Sequence, residues 1–127
     1  MSSPKTNFTD EELVAGYLAS IADGGGDSPH FWASGEVTEL VGTDPERAWR
    51  LMVQMVRKSD NDTALACVAA GPLEDLLAWS GPLFIERTET LAGSEPKFRE
   101  ALTIIYTSRM TPEIRKRVEQ AIGGNTR

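Results

Sequence analysis

The chain has 127 residues and carries 19 acidic and 13 basic side chains, which gives a formal net charge of -6 at pH 7. Its length suits one domain, and 40% hydrophobic and 25% charged residues are ordinary for a globular protein and exclude a disordered one. The negative charge argues against direct nucleic-acid binding and against attachment to anionic lipid, because both need a cationic surface. We expect one helical domain over residues 1–127, with residues 1–8 and 124–127 flexible.

The charges are distributed unevenly along the chain. Residues 1–80 contain 13 acidic and 5 basic side chains, whereas residues 81–127 contain 6 acidic and 8 basic ones. An acidic first part would steer a basic partner protein toward it. A surface that simply keeps the protein soluble is the alternative interpretation.

Cys67 is the only cysteine, which excludes a disulfide within the chain and a metal site built from several cysteines. Because it lies in the apolar run 64–70, we expect a small core side chain of low reactivity. No apolar run reaches the roughly 18 residues of a membrane span, and no signal-peptide pattern opens the chain. Together with the unpaired thiol, these features predict a cytoplasmic protein without a membrane segment.

Helix signals in the first half of the chain are clear. Residues 9–12 (TDEE) form a capping box, and the three glycines at 24–26 must end the helix that follows it. A second helical pattern covers about 31–41, and Gly42 is expected to close it. Residues 43–46 (TDPE) then cap a third helix, because proline is favoured in a first turn.

In the second half, residues 59–62 (SDND) begin a short helix, and two Gly-Pro pairs follow at 71–72 and 81–82. Each pair is expected to end one helix and start the next, with Gly71 in the left-handed conformation. Gly93 should stop the next helix, residues 94–96 (SEP) cap a helix that extends to Tyr106, and residues 111–113 (TPE) cap the last one.

The sequence therefore predicts an all-α fold of seven or eight short antiparallel helices, either a compact bundle or a short solenoid-like stack. No segment alternates apolar and polar residues as a half-buried strand would. The apolar stripes of these helices predict a core of Leu13, Tyr17, Leu18, Leu40, Trp49, Met52, Val56, Leu65, Val68, Leu73, Leu76, Leu77, Phe98, Leu102 and Ile105.

Two of the three tryptophans are candidates for binding another protein. Trp49 follows the phase of a buried helix face and is expected in the core. Trp32 and Trp79 border predicted loops and are expected at the rim, and exposed tryptophan is enriched where proteins bind one another.

Glu74 and Asp75 lie in the first turn of a predicted helix, where the helix dipole favours negative charge. Apolar neighbours on both sides place at least one of these carboxylates near the buried face. A buried carboxylate needs hydrogen-bond partners, which could be first-turn amides or a basic side chain. Arg47, Arg50 and Arg99 are candidates for the basic side chain. A structural role for the pair and a role in partner contact both remain open.

No catalytic, cofactor or metal site is predicted. His30 is the only histidine, so any nucleophilic system with a histidine base would depend on it, and nothing nearby supports one. Residues 60–62 (DND) begin like a calcium loop but lack its later glycine and glutamate. Residues 24–26 are not followed by the lysine of a phosphate-binding loop.

Three segments of the chain resemble a family of uncharacterised small bacterial helical proteins. They are the run 71–77 (GPLEDLL), which follows 44–49 (DPERAW), and the later run 98–102 (FREAL). The resemblance covers roughly residues 32–107 and implies no activity. Proteins of this type are similar, by analogy only, to immunity proteins encoded beside bacterial toxins.

The leading hypothesis is a non-enzymatic protein-binding module that occludes a basic partner, such as a toxin or nuclease, in the manner of an immunity protein. A phage-encoded acidic inhibitor that mimics DNA is the first alternative, and an enzyme using Glu74, Asp75 and His30 is the second. Homo-oligomerisation is left open. The candidate partner-binding residues are Trp32, Asp44, Glu46, Glu74, Asp75 and Trp79.

Overall fold

The computed structural model of the chain describes residues 7–123, and within that range it contains helices and their connections without any strand. The all-α prediction is therefore confirmed. The elements are α1 (Asp10–Ala22), α2 (Phe31–Thr43), α3 (Pro45–Lys58), α4 (Asp62–Val68), a π turn (Ala69–Leu73), α5 (Glu74–Ser94), α6 (Pro96–Leu102) and α7 (Pro112–Gly123). Apart from residues 7 and 8, the termini expected to be flexible lie outside the described residues.

The number of helices differs from the prediction because α4, the π turn and α5 form one continuous segment. Residues 7–123 thus contain six helical segments, not seven or eight. Pro72 has no N–H to donate, and its ring would clash with the carbonyl four residues earlier in an α-helix. The wider π turn accommodates the proline without ending the helix. At the second Gly-Pro pair, only Ser80 leaves the helical conformation, with φ -133° and ψ 33°, so α5 bends and continues.

Gly71 does not adopt the predicted left-handed conformation. Among the glycines of residues 7–123, only Gly24 and Gly25 have positive φ. Gly71 is required for a different reason, because a Cβ there would lie 2.8 Å from the hydroxyl oxygen of Tyr17. Its small size therefore allows α1 to approach the π turn.

The predicted helix starts are confirmed where side chains cap them. Thr9 accepts the N–H of Glu12 at 3.0 Å, and the Glu12 carboxylate accepts the N–H of Thr9 at 2.9 Å, which completes the capping box. Asp44 accepts the N–H of Arg47 at the start of α3, at 3.2 Å. Some predicted ends are shifted, because Gly42 and Gly93 lie inside α2 and α5, each one residue before the last helical residue.

The helix expected to reach Tyr106 ends earlier, since α6 stops at Leu102. The next residues, Thr103, Ile104 and Ile105, are all β-branched, and such residues lose rotamer freedom in a helix. The chain therefore enters an irregular connection of residues 103–111 before α7. This difference matters because the connection carries two residues of the candidate site.

The helices pack as a compact bundle, not a solenoid. α3 contacts α1, α2, α4, α5 and α6, whereas a solenoid element would touch only its neighbours in sequence. The predicted core is confirmed except for Leu18 and Leu40, which are half-buried and pack against it. Trp49 belongs to this core and is stacked on Phe84, with ring centroids 5.0 Å apart. Within residues 7–123, no helix is both long and apolar enough to span a membrane.

Cys67 is exposed, so the prediction of a core cysteine was wrong. The short helix α4 buries Ala64, Leu65 and Val68. Since consecutive helical residues are about 100° apart around the axis, position 67 lies on nearly the opposite side from Leu65. The apolar run around the cysteine therefore did not indicate which side of the helix faces the core.

Candidate functional site

The first turn of α5 carries an ion cluster made of Glu74, Asp75 and Arg109. Arg109 Nη2 donates to Glu74 Oε2 at 2.8 Å and to Asp75 Oδ1 at 2.7 Å. Glu74 also accepts the backbone N–H of Tyr106, at 3.0 Å. These contacts hold the connection between α6 and α7 against the start of α5.

The sequence suggested Arg47, Arg50 or Arg99 as the basic partner of these carboxylates. That part of the prediction was wrong, because their partner is Arg109. Arg47 Nε instead donates to Asp10 Oδ1 at 2.9 Å. The hydrogen bonds to Asp75 and then to Glu74 raise the pKa of Arg109 above its usual value. Glu74 is only 7% exposed, whereas Asp75 is half-buried, so the two carboxylates differ in how much they depend on the arginine.

Three large side chains around this cluster are exposed to solvent. They are Trp79, 58% exposed, Leu83, 49% exposed, and Tyr106, 75% exposed. Trp79 follows Asp75 by four residues, and side chains four apart in a helix are neighbours. Leu83 follows Trp79 by four, across the bend at Ser80, and the backbone of Tyr106 is bonded to Glu74. We call Glu74, Asp75, Trp79, Leu83, Tyr106 and Arg109 the Trp79 surface.

The other predicted binding residues lie on different elements. Trp32, in the first turn of α2, is partly exposed and stacks on Phe8 with ring centroids 4.4 Å apart. Asp44 is occupied as the cap of α3. Glu46 receives two hydrogen bonds from Arg87, at 2.9 and 2.8 Å, and these lower the pKa of its carboxyl. Of the six predicted residues, the structure therefore brings Glu74, Asp75 and Trp79 together.

Arginine neutralises several further carboxylates on the surface. The hydrogen bonds from Arg117 lower the pKa of Glu89, and those from Arg57 lower the pKa of Glu95. The first pair joins α7 to α5, and the second joins α3 to the residue between α5 and α6, with the closest N–O distances at 2.6 Å in both. These pairings neutralise Glu89 and Glu95, as Arg87 neutralises Glu46.

His30 is engaged in a local contact at the start of α2. Its Nδ1 lies 3.2 Å from Asp23 Oδ2, and Ser28 Oγ donates to the same oxygen at 2.8 Å. These two hydrogen bonds, that of Ser28 first, lower the pKa of Asp23. His30 therefore pairs with Asp23, whereas Glu74 and Asp75 share Arg109. The residues of 7–123 also contain no group of three or more histidine, cysteine, aspartate or glutamate side chains arranged to hold a metal ion.

The sequence did not point to Leu83, Tyr106 or Arg109. Leu83 follows the Gly-Pro pair at 81–82, which we interpreted as a helix boundary, so it was not placed on the same helix as Trp79. Tyr106 and Arg109 follow the β-branched run that ends α6, and that run was the signal that could have revealed a connection there.

A family model matches residues 21–126 and is described as a family of unknown function, DUF6869. The chain belongs to this family. The matched range includes residues 32–107, over which the sequence resembles an uncharacterised family. It also includes every residue of the Trp79 surface. No match was found among curated proteins or among solved structures.

Proposed function

We propose that the protein acts by binding another protein through the Trp79 surface. The observation that carries this proposal is the exposure of Trp79, which stands in solvent on a helix fixed on both sides of it. Before Trp79, the Glu74–Arg109 contact holds the helix, and after it Gly81 lies so close to α7 that a Cβ would be 2.8 Å from Ile114 Cγ1. A tryptophan on a fixed stretch of backbone needs no backbone ordering on binding, so it suits a hot spot.

The rim of the surface fits the same role. Leu83 and Tyr106 add apolar and amphipathic area, and the carboxylates with Arg109 supply polar groups around them. Interfaces between proteins commonly combine an aromatic anchor with a polar rim. The acidic excess in residues 1–80 supports a basic partner, because opposite charges speed the encounter.

The more specific form of the proposal is an immunity-type function, in which the protein neutralises a toxin-like enzyme by covering it. We place this encounter in the cytoplasm, where an exposed unpaired thiol such as Cys67 stays reduced. The pairing of Glu46, Glu89 and Glu95 with arginines weighs against a DNA mimic, which needs unneutralised acidic rows. The separate contacts of His30 and Glu74 weigh against an enzyme built on both.

The test begins with tagged protein purified from its native host, together with the variants Trp79→Ser and Phe31→Ser. Phe31 is a matched control, because it is also an exposed aromatic residue but lies on α2. We expect a stoichiometric partner with the wild type and with Phe31→Ser, and its loss with Trp79→Ser. Calorimetry on the purified pair should show at least a tenfold weaker affinity for Trp79→Ser, about 1.4 kcal/mol or more.

Recovery of the protein without a stoichiometric partner would contradict the binding proposal. A partner that is kept by Trp79→Ser but lost by Trp32→Ser would move the interface to α2. If the partner is an enzyme, its activity should fall on addition of the protein. An enzyme that remains fully active in the complex would contradict the immunity-type function and leave the binding function standing.

A further inference from the structure

A cleft of about 330 Å³ opens between α1, the glycine loop, α2 and α4. Its polar and aromatic lining comes from Tyr17, Ser20, Phe31, Ser34, Thr63 and Cys67. Every lining residue found within 7–123 is uncharged. The volume falls at the small end of the roughly 300–1,000 Å³ typical of ligand pockets, so the cleft suits a small molecule.

Two hydroxyl groups of this cleft belong to buried side chains that have no hydrogen-bond partner within residues 7–123. Tyr17 is 8% exposed and Ser20 is 4% exposed. All side-chain nitrogen and oxygen atoms fully shielded from solvent in that range do have partners. The hydroxyl oxygens of Tyr17 and Ser20 must therefore reach solvent, and the cleft is the opening that both residues line.

Three hydroxyls at other buried or terminal helical positions behave differently from Ser20. Thr43, Ser59 and Thr88 each donate to the carbonyl oxygen four residues earlier, at 3.0, 2.7 and 2.9 Å. Such bonds are one way in which a helix satisfies a serine or threonine hydroxyl. Ser20 does not make this bond, so its hydroxyl is left to hydrogen-bond within the cleft. Its unused hydrogen-bonding capacity is thus directed to whatever fills the cleft.

We propose that this cleft is a binding site for a small uncharged molecule that has hydrogen-bonding groups at one edge and an apolar face. The hydroxyls of Tyr17 and Ser20 bind the polar edge, and the exposed ring of Phe31 packs against the apolar face. An ionic ligand would find no countercharge among the lining residues, so the site selects neutral molecules. The proposal is independent of the Trp79 surface.

Tyr17 is well suited to act as the polar anchor. Burial, then the charges of Cys67 and Asp75, raise its pKa to about 12, so the hydroxyl stays protonated and can donate. The absence of a Cβ at Gly71 leaves the space that this hydroxyl occupies. Because the Tyr17 side chain is also buried, it is packed in place before a ligand arrives.

Cys67 provides a built-in reporter, because it is the only cysteine and its exposed thiol lines the cleft. The probes are benzamide, 2-pyridone and benzyl alcohol, which are uncharged, with benzoate as the charged counterpart of benzamide. At millimolar concentrations we expect at least one uncharged probe to shift the amide resonances of Ser20, Gly25 and Ser34. The same probe should slow alkylation of Cys67 by iodoacetamide several-fold, while benzoate should do neither.

Tyr17→Phe and Ser20→Ala should each weaken the effective probe at least fivefold, with folding verified by circular dichroism. Thr38→Ala, an exposed position of α2 outside the cleft lining, is the control and should bind the probe normally. Trp79→Ser should also bind it normally, which separates this site from the proposed protein interface. Failure of all three uncharged probes, equal binding of benzoate, or unchanged binding by both cleft variants would overturn the proposal and leave a water-filled cleft.

Discussion

Glu74 and Arg109 are 35 residues apart in the chain, and their side chains meet at 2.8 Å. Glu74 is buried, so its carboxylate oxygens take this arginine and the N–H of Tyr106 as their hydrogen-bond donors. The contact joins the start of α5 to the connection before α7. It therefore stabilises the fold and also positions Tyr106 and Trp79 relative to each other.

We predict that Glu74→Gln lowers the stability by about 1–3 kcal/mol, because the amide leaves the Arg109 charge less well balanced. Chemical denaturation would measure the change. Arg87→Ala, which breaks the exposed pair with Glu46, is the control. It should lower the free energy of unfolding less than Glu74→Gln does. An equal loss in both variants would show that burial of Glu74 has no energetic consequence.

Gly71→Ala is expected to destabilise the protein by about 1–3 kcal/mol, because the new Cβ would be 2.8 Å from the Tyr17 hydroxyl. In a Tyr17→Phe background the obstructing oxygen is gone, so the same change should cost less. The double-mutant cycle should thus give a coupling of at least about 0.5 kcal/mol. Gly93→Ala, which has open space around it, should be neutral or stabilising. Additive effects of Gly71→Ala and Tyr17→Phe would refute the steric explanation.

The raised pKa of Tyr17 predicts a loss of stability at alkaline pH. The unfolded chain releases this proton near pH 10.0, and the folded protein holds it until about 12. The contribution of Tyr17 to the free energy of unfolding is therefore fully present below pH 10. It is lost as the pH rises toward 12, which lowers the stability by about 2–3 kcal/mol.

Tyr106→Phe leaves Tyr17 as the only tyrosine, so tyrosinate absorbance can be followed without overlap. Its midpoint should be about 12 in the folded protein. Cys67→Ser should lower this midpoint, because the thiolate charge no longer opposes ionisation. A midpoint near 10 would mean that the ring is not buried as described.

Leu76→Ala should cost on the order of 2–5 kcal/mol, since Leu76 is completely buried and the change removes apolar area and leaves a cavity. Leu83→Ala, at an exposed position of the same helix, is the matched control and should change stability little. Thermal or denaturant unfolding would compare the two. Similar losses in both variants would indicate that the helix does not face the core as observed.

Local patterns were enough to predict the helices and most of the core. The stripe that includes Trp49, Met52 and Val56 depends only on helical periodicity, and the Thr9 and Asp44 caps depend only on neighbouring residues. Such features need no knowledge of distant parts of the chain, which is why sequence reasoning succeeded with them.

The failures involve contacts between distant segments. Pro72 was interpreted as a helix start, but whether a proline ends a helix or is absorbed by a π turn depends on what packs around it. Gly71 faces Tyr17 across 54 positions, and Arg109 reaches Glu74 across 35. For the candidate site, the sequence identified the carboxylates and Trp79, whereas their partners required the tertiary fold.

The π turn at Ala69–Leu73 has a consequence for how this family can vary in length. A π turn contains one residue more than the α-helical turn it replaces. The wider turn takes up that extra residue, so α4 and α5 keep nearly the same rotation about the axis as in an uninterrupted α-helix one residue shorter. Loss of Pro72 would therefore restore α-helical bonding without carrying Cys67 around the axis relative to Glu74. Family members that lack this proline should be one residue shorter at 69–73, whereas members that keep it should keep the π turn.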